Sequence, residues 1–199
     1  MKTNIVITGV GGQGVITAAN ILGKAAVNAG LNVFVSEVHG MAQRGGSVNC
    51  TVRIGDVSGP LVQSGSADVI LSTEPAEALR YINYSNKKTK IITDITPVIP
   101  FTVATGEEKY PDLDSIFKEL EKYGELFKID AVNIAKDAGA VITKNIVMLG
   151  ALEASGVLPF QKEVLLNTIL ENVPAKFKDV IRRHLKTGLK PLGVNLFPI

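Results

Sequence analysis

An α/β fold built on a largely parallel sheet is what this sequence predicts, and three observations carry the prediction. A short apolar run, Ile5-Val6-Ile7, enters a glycine-spaced turn, Gly9-Val10-Gly11-Gly12-Gln13-Gly14, and then a long helix of small residues. Further short apolar runs follow at intervals that leave room for helices between them, as β-α-β units require. From Lys144 onward the apolar spacing is helical throughout.

Asn4 to Thr8 reads as a central strand, apolar on successive residues because both of its faces are covered. Gly9, Gly11 and Gly14 fit the spacing G-x-G-x-x-G, which turns the chain tightly from strand to helix and lets backbone approach a ligand. The helix that follows aims unpaired N–H groups and its positive dipole end at that turn. Ile16, Ala19, Leu22, Ala26 and Ala29 recur at three and four and give its packed face, with Gly30 as the stop. Leu31 to Ser36 is a second strand, which completes a β-α-β unit with a right-handed crossover. Glu37 ends it about twenty residues past the last glycine, where a dinucleotide-binding fold keeps a ribose-binding acid. Val38 to Ser47 is a second glycine-rich loop, carrying His39, Gln43, Arg44, Gly45 and Gly46. Both loops fall at the carboxyl edge of the sheet, where open α/β sheets bind ligands.

Ser47 to Ile54 alternates, with Val48, Cys50, Val52 and Ile54 on one face and Asn49, Thr51 and Arg53 on the other, the pattern of a half-exposed strand. Gly55-Asp56 reads as the turn of an antiparallel hairpin leading to Val57–Leu61. Asp68 to Ser72 and Lys90 to Asp94 are buried strands. Between them Thr73 to Glu77 reads as a helix start, with Pro75 in the first turn and Glu77 closing a cap. Pro97 and Pro100 hold the next loop extended. Asp112 to Tyr123 is an amphipathic helix with Leu113, Ile116, Phe117 and Leu120 inward. Leu126 to Ile129 is the last strand and leads into a helix near Asn133 to Asp137. Three helices close the chain: one ending at Ser155-Gly156, one carrying Val164, Leu165, Ile169 and Leu170, and one over Ala175 to Leu185. Residues 1–199 read as a single three-layer α/β/α, Rossmann-like domain with one hairpin and a helical extension over about 144–199.

Composition narrows the function. The 199 residues are 46% apolar and 20% charged, with a net charge of +2, so no basic stripe marks a nucleic-acid surface. No apolar run is long enough to span a membrane, and the chain enters its first strand at once, so a cytoplasmic location without a signal peptide is expected. Cys50 is the only cysteine and sits on the apolar face of its strand, which points to inert core. One cysteine and two histidines, His39 and His184, supply neither a four-thiolate cluster nor a His-rich metal site, so no metal is expected on this chain.

The two loops together carry a resemblance. Gly9-Val10-Gly11-Gly12-Gln13-Gly14-Val15, joined to Ser36-Glu37-Val38-His39-Gly40-Met41-Ala42-Gln43-Arg44-Gly45-Gly46-Ser47, resembles the gamma-type subunits of 2-oxoacid:ferredoxin oxidoreductases, and among these most resembles the beta subunit of the indolepyruvate branch. The resemblance implies a non-cluster subunit that is inactive alone. The complex decarboxylates aryl 2-oxoacids oxidatively, passes the acyl group to coenzyme A and sends two electrons to ferredoxin. It also implies a larger alpha subunit bearing thiamine diphosphate and 4Fe-4S clusters, assembled with this chain as a heterodimer or heterotetramer, and coenzyme A at the glycine loops. The residues then expected at the site are Gly9, Gly11, Gly12, Gln13, Gly14, Glu37, Gln43, Arg44, Gly45 and Gly46. A coenzyme A pyrophosphate would lie on the Gly11-Gly12 backbone with Arg44 adding charge-assisted hydrogen bonds.

Each of these residues also has a plainer reading. The glycines serve the turn in any case, and Gln13 can cap or pack it. Glu37 can pair with loop N–H groups, and His39, the one catalytic candidate, can be an ordinary hydrogen-bonding loop residue. Two other functions therefore stand beside the main one. One is a free-standing oxidoreductase holding NAD(P) or flavin through Gly9, Gly11, Gly14 and Glu37. The other is a structural assembly subunit whose glycine loops only form an interface.

Overall fold

A computed structural model describes residues 2–40, 44–137, 143–178 and 181 of the chain, except the side chain of His39. It is a three-layer α/β/α structure around a six-stranded sheet in the order β2-β3-β1-β4-β5-β6. The strands are β1 (Lys2–Val10), β2 (Val33–His39), β3 (Ser47–Gly55), β4 (Val69–Ser72), β5 (Lys90–Asp94) and β6 (Glu125–Ile129). The helices are α1 (Val15–Asn28), α2 (Pro75–Arg80), α3 (Phe101–Ala104), α4 (Leu113–Leu120), α5 (Ala131–Asp137), α6 (Lys144–Ala154) and α7 (Lys162–Asn172). β1, β4, β5 and β6 are parallel neighbours, whereas β3 runs antiparallel to both β1 and β2.

The alternate residues of the sheet feed two cores. Ile5, Ile7, Val69, Leu71, Ile92, Phe127 and Ile129 point to the face covered by α1, α6 and α7. On the other face Ile91 meets Ala78 of α2 and Ile116, Phe117 and Leu120 of α4, while Val6 and Ile70 meet Val62 and Ala67. α1 ends as expected at Gly30. Its φ is +74°, and Gly30 and Leu31 donate to the carbonyls of Val27 and Ala26, the paired bonds of a Schellman stop. The buried stripe of α1 is Val15, Ala18, Ala19, Ile21, Leu22, Ala25 and Ala26, so the expected face is rotated slightly and Ile16 is exposed. Gly23 lies within it because a Cβ there would come 2.8 Å from Val35 Cγ2.

Two expectations are corrected. The hairpin is formed by β2 and β3, not by β3 and Val57–Leu61. β3 also inserts between β2 and β1, so the β1-α1-β2 unit does not pair its own strands. The polar face of β3 is therefore not half-exposed: Asn49 and Thr51 are both buried, and the segment after Gly55 covers Thr51. Thr51 Oγ1 donates to Pro60 O at 2.9 Å, and Arg53 Nη1 donates to Gly59 O and Leu61 O at 2.7 and 2.9 Å. Those carbonyls are spent on side chains, so Val57–Leu61 lies across the sheet face instead of joining it as a strand. The loop after Pro97 is extended only as far as Pro100, which caps the one-turn helix α3. Residues 175–178 and 181 are helical, and the rest of the helix expected over Ala175–Leu185 lies outside the described residues.

Candidate functional site at the carboxyl edge of the sheet

The carboxyl ends of β1, β2, β4, β5 and β6 share one edge, and the two glycine loops meet there. Gly11 N donates to Gly46 O at 2.8 Å, and Gly45 N donates to Gly11 O at 3.3 Å, so the loops are laced together through backbone. Gly14 caps α1 with φ +79°, a left-handed conformation that costs a side-chain-bearing residue free energy. Gly9 is needed for a different reason: a Cβ there would fall 1.9 Å from Thr73 Oγ1.

Gln13 has a structural task. Its Oε1 accepts from Val10 N and from Thr73 Oγ1, both at 2.7 Å, and its Nε2 donates to Thr73 O at 3.2 Å. The amide thus closes its own loop and ties it to the residue after β4. Lys144, the first residue of α6, donates to the same Thr73 carbonyl at 2.8 Å and pairs with Asp94 at the end of β5. Asp94 is fully buried, Lys144 is 12% exposed, and Asp94 Oδ1 also accepts from Ala131 N at 3.1 Å. Asn145 packs on the α1 cap, its Nδ2 3.4 Å from Gly14 O.

Two cavities flank the laced loops. The first, about 520 Å³, is lined by Gly12, Gln13, Gly14 and Thr17 from the start of α1, by Lys144, Asn145 and Ile146 from the start of α6, and by Val173, Pro174 and Phe177. Two helix N-termini therefore face one space, and neither helix has an acidic residue in its first turn. The second cavity, about 390 Å³, is lined by Arg44, Gly45, Gly46 and Ser47, by Glu74 and Glu77, and by Val98 to Phe101 and Tyr110.

The carboxylates of the second cavity are already occupied. Glu74 caps α2 by accepting from Glu77 N at 2.8 Å, and its other oxygen accepts from Val98 N at 3.3 Å and from the Tyr110 hydroxyl. Burial and the Glu74 carboxylate hold the Tyr110 phenol protonated well above its ordinary range. Glu77 does not close the α2 cap with its own side chain; it takes Ser47 Oγ and Arg80 Nε instead.

The expected site residues are thus divided. Gly12, Gln13 and Gly14 face the first cavity, and Arg44, Gly45 and Gly46 face the second. Glu37 is exposed on the edge strand opposite Cys50. With β3 between, it sits two strand spacings, about 10 Å, from β1. A ribose acid belongs on the strand beside the glycine turn. Gln43 and the His39 side chain lie outside the described residues. Cys50 is buried in the sheet, and burial, with Glu37 nearby, pushes its thiol up to about 11.

Sequence reasoning missed Thr73, Asp94, Lys144 and Asn145 as parts of this edge. Asp94 gave a signal, a carboxylate closing a wholly buried strand, but its partner Lys144 is fifty residues away and opens a helix whose packing the sequence does not disclose.

Comparison with known proteins adds family context. A family model described as pyruvate ferredoxin/flavodoxin oxidoreductase matches residues 4–188. The chain is similar to indolepyruvate oxidoreductase subunit IorB of Archaeoglobus fulgidus, at 46% identity over 189 residues, covering 94% of each chain. It is similar to the subunit of the same name from Thermococcus kodakarensis, at 48% over 190 residues and the same coverage. Among solved structures it is similar to the gamma subunit of a keto/oxoacid ferredoxin oxidoreductase from Geobacter sulfurreducens, with TM-score 0.67, 25% identity, and 94% and 96% of the two chains covered. It also shares a fold with 2-oxoglutarate:ferredoxin oxidoreductase from Magnetococcus marinus, solved with 2-oxoglutarate, coenzyme A and succinyl-CoA bound. There the TM-score is 0.72 at 20% identity, and all of this chain matches 32% of that one.

Proposed function

Because the chain belongs to the pyruvate ferredoxin/flavodoxin oxidoreductase family, we propose that it is the smaller subunit of an indolepyruvate-type oxidoreductase and acts only together with a larger partner. The reaction is the oxidative decarboxylation of an aryl 2-oxoacid: the carboxylate leaves as carbon dioxide, the acyl carbon goes to the sulfur of coenzyme A, and two electrons go to ferredoxin. The similarity to subunits of that name over nearly the full length of both chains supports the reading.

The partner is assigned thiamine diphosphate and the 4Fe-4S clusters. This chain offers a single thiol, Cys50, held protonated inside the sheet, which does not fit a cluster that needs four thiolates.

Coenzyme A is assigned to the cavity between α1 and α6, and the observation that carries the assignment is the pair of helix N-termini facing it without a first-turn carboxylate. The first-turn amides of both helices are free of intrahelical partners by construction and attract phosphate oxygens. Thr17 adds a hydroxyl, and Val173, Pro174 and Phe177 form an apolar wall for the less polar part of the molecule. Lys144 contributes by position more than by charge, because Asp94 neutralises it while it pins the end of β4. Coenzyme A, when bound, supplies the thiol that accepts the acyl group. Arg44 opens onto the other cavity and is not assigned to these phosphates.

The test uses the reconstituted complex. With phenylpyruvate or indolepyruvate, coenzyme A and ferredoxin, the pair reduces ferredoxin, and either chain alone does not. Thr17→Glu, an exposed position, places a carboxylate in the first turn of α1 and is expected to raise the KM for coenzyme A at least tenfold, by about 1.4 kcal/mol or more. An unchanged KM removes coenzyme A from this cavity. A bound flavin spectrum or NAD(P)H-dependent activity of the chain alone removes the subunit reading itself.

A further inference from the structure

The cavity beside Arg44 carries an inference that rests on the subunit reading and goes beyond it. Its rim is the segment Val98 to Phe101, where Ile99 is 51% exposed and Phe101, the first residue of α3, is 79% exposed. Single exposed apolar residues are ordinary, but here an aliphatic, a proline and an aromatic side chain protrude in succession beside a concave surface.

The segment is held in this posture. Val98 N donates to the buried Glu74, and the hydroxyl of Tyr110 braces the same carboxylate. Ala104 N and Thr105 N return to Pro100 O and Phe101 O at 3.0 and 2.9 Å, fixing the single turn of α3. An aromatic side chain presented by pinned backbone loses little freedom on binding, which is what an interface anchor requires.

Charge specifies what sits against it. Glu74 and Glu77 are buried and satisfied from within. The accessible charges of the cavity are guanidinium groups, Arg44 and the largely exposed Arg80. Arg80 is paired with Glu77, whereas Arg44 makes no ion pair among the described residues. The cavity also adjoins the laced glycine loops, the part of this chain that must face a partner if the two share one active site.

We infer that Ile99, Phe101 and Arg44 form the docking surface for the larger, thiamine-diphosphate-bearing subunit, which places an apolar side chain beside Phe101 and a carboxylate on Arg44. Truncation of a central aromatic anchor at such a surface weakens association by about thirtyfold or more. Replacement of the arginine mainly slows association and flattens its dependence on salt.

The test measures the affinity of this chain for the purified larger subunit, identified by its thiamine diphosphate and iron content. The variants are Ile99→Ser/Phe101→Ser, Arg44→Glu, and Val27→Ser as a control at a 62% exposed site on α1. The double variant is expected to bind at least about thirtyfold more weakly. Arg44→Glu is expected to bind more weakly at low salt with the difference shrinking at high salt, and Val27→Ser to match the wild type. All four proteins should melt alike, since the substituted side chains are exposed. Unchanged affinity in the double variant overturns the docking surface and leaves the subunit reading intact. Wild-type protein that does not bind the larger subunit overturns both. If the substitutions abolish self-association of this chain and leave its binding to the larger subunit unaltered, the occupant is a second copy and the inference fails.

Discussion

Thr73 Oγ1 and Gln13 Oε1 lie 2.7 Å apart, and that contact joins the first glycine loop to the end of β4. The same amide accepts from Val10 N and donates to Thr73 O. Gln13→Ala is expected to strand these groups in a partly buried setting and to lower stability by about 1–3 kcal/mol. In a protein of this size that is a fall in Tm of roughly 2–12 °C, read by thermal melting. A melting curve identical to wild type contradicts the structural role of Gln13.

The Asp94–Lys144 pair behaves differently, because one partner is fully buried. Lys144→Met leaves a carboxylate in the core with one backbone donor, at a cost of about 3–5 kcal/mol. Adding Asp94→Asn to the same protein removes the orphaned charge and is expected to recover part of that loss. Denaturant unfolding of the wild type, both single variants and the double variant checks the sign of the coupling.

Gly9 and Gly12 occupy one loop for separate reasons and should respond to alanine separately. At Gly9 the new methyl meets Thr73 Oγ1 at 1.9 Å and Val15 Cγ2 at 2.9 Å, so Gly9→Ala is expected to prevent the loop from docking and to give little folded protein. At Gly12 nothing lies within 4 Å, and only the φ of +99° opposes a side chain. Gly12→Ala is therefore expected to fold and to cost about 1–2 kcal/mol. Soluble yield and denaturant midpoints distinguish the two.

Cys50 should resist thiol reagents at pH 8 in the folded protein and react at once on unfolding, because burial keeps it protonated up to about 11. The raised value has a sign for stability. Below the unfolded thiol's pKa, about 8.5, both states hold the proton and nothing is lost. Above it only the unfolded state releases the proton, so the stability contributed by Cys50 declines as the pH climbs toward 11. Cys50→Ala should remove that part of the alkaline decline, measured by unfolding between pH 8 and pH 11.

Much of the fold is legible along the chain, and for identifiable reasons. β5 begins at Lys90 and ends at Asp94 as read, because a buried strand bounded by charges has sharp edges. α6 starts at Lys144 and closes at Ser155 as read, because its apolar period is unbroken. Strand order is not legible. The alternation in β3 is real, yet alternation signals a solvated face only if nothing covers it, and here the segment from Val57 to Leu61 does. Nothing local marks that segment as a cover, because its carbonyls are taken by Thr51 and Arg53, which precede it in the chain.

By itself the sequence determined the α/β class, the glycine turn into α1, the family resemblance and the presence of two glycine loops at one sheet edge. These follow from residue spacing and from backbone conformations that few residues can adopt. The tertiary structure decided how those pieces meet. It placed β3 between β1 and β2, which moves Glu37 away from the glycine turn. It turned Gln13 inward to Thr73, set Lys144 against Asp94, and divided the expected site into two cavities with Arg44 in one and the α1 N-terminus in the other. The physical reason is range. Spacing records what a residue's neighbours in the chain require, whereas a buried amide, ion pair or cavity wall is satisfied by whichever distant segment the folding of the sheet brings into contact.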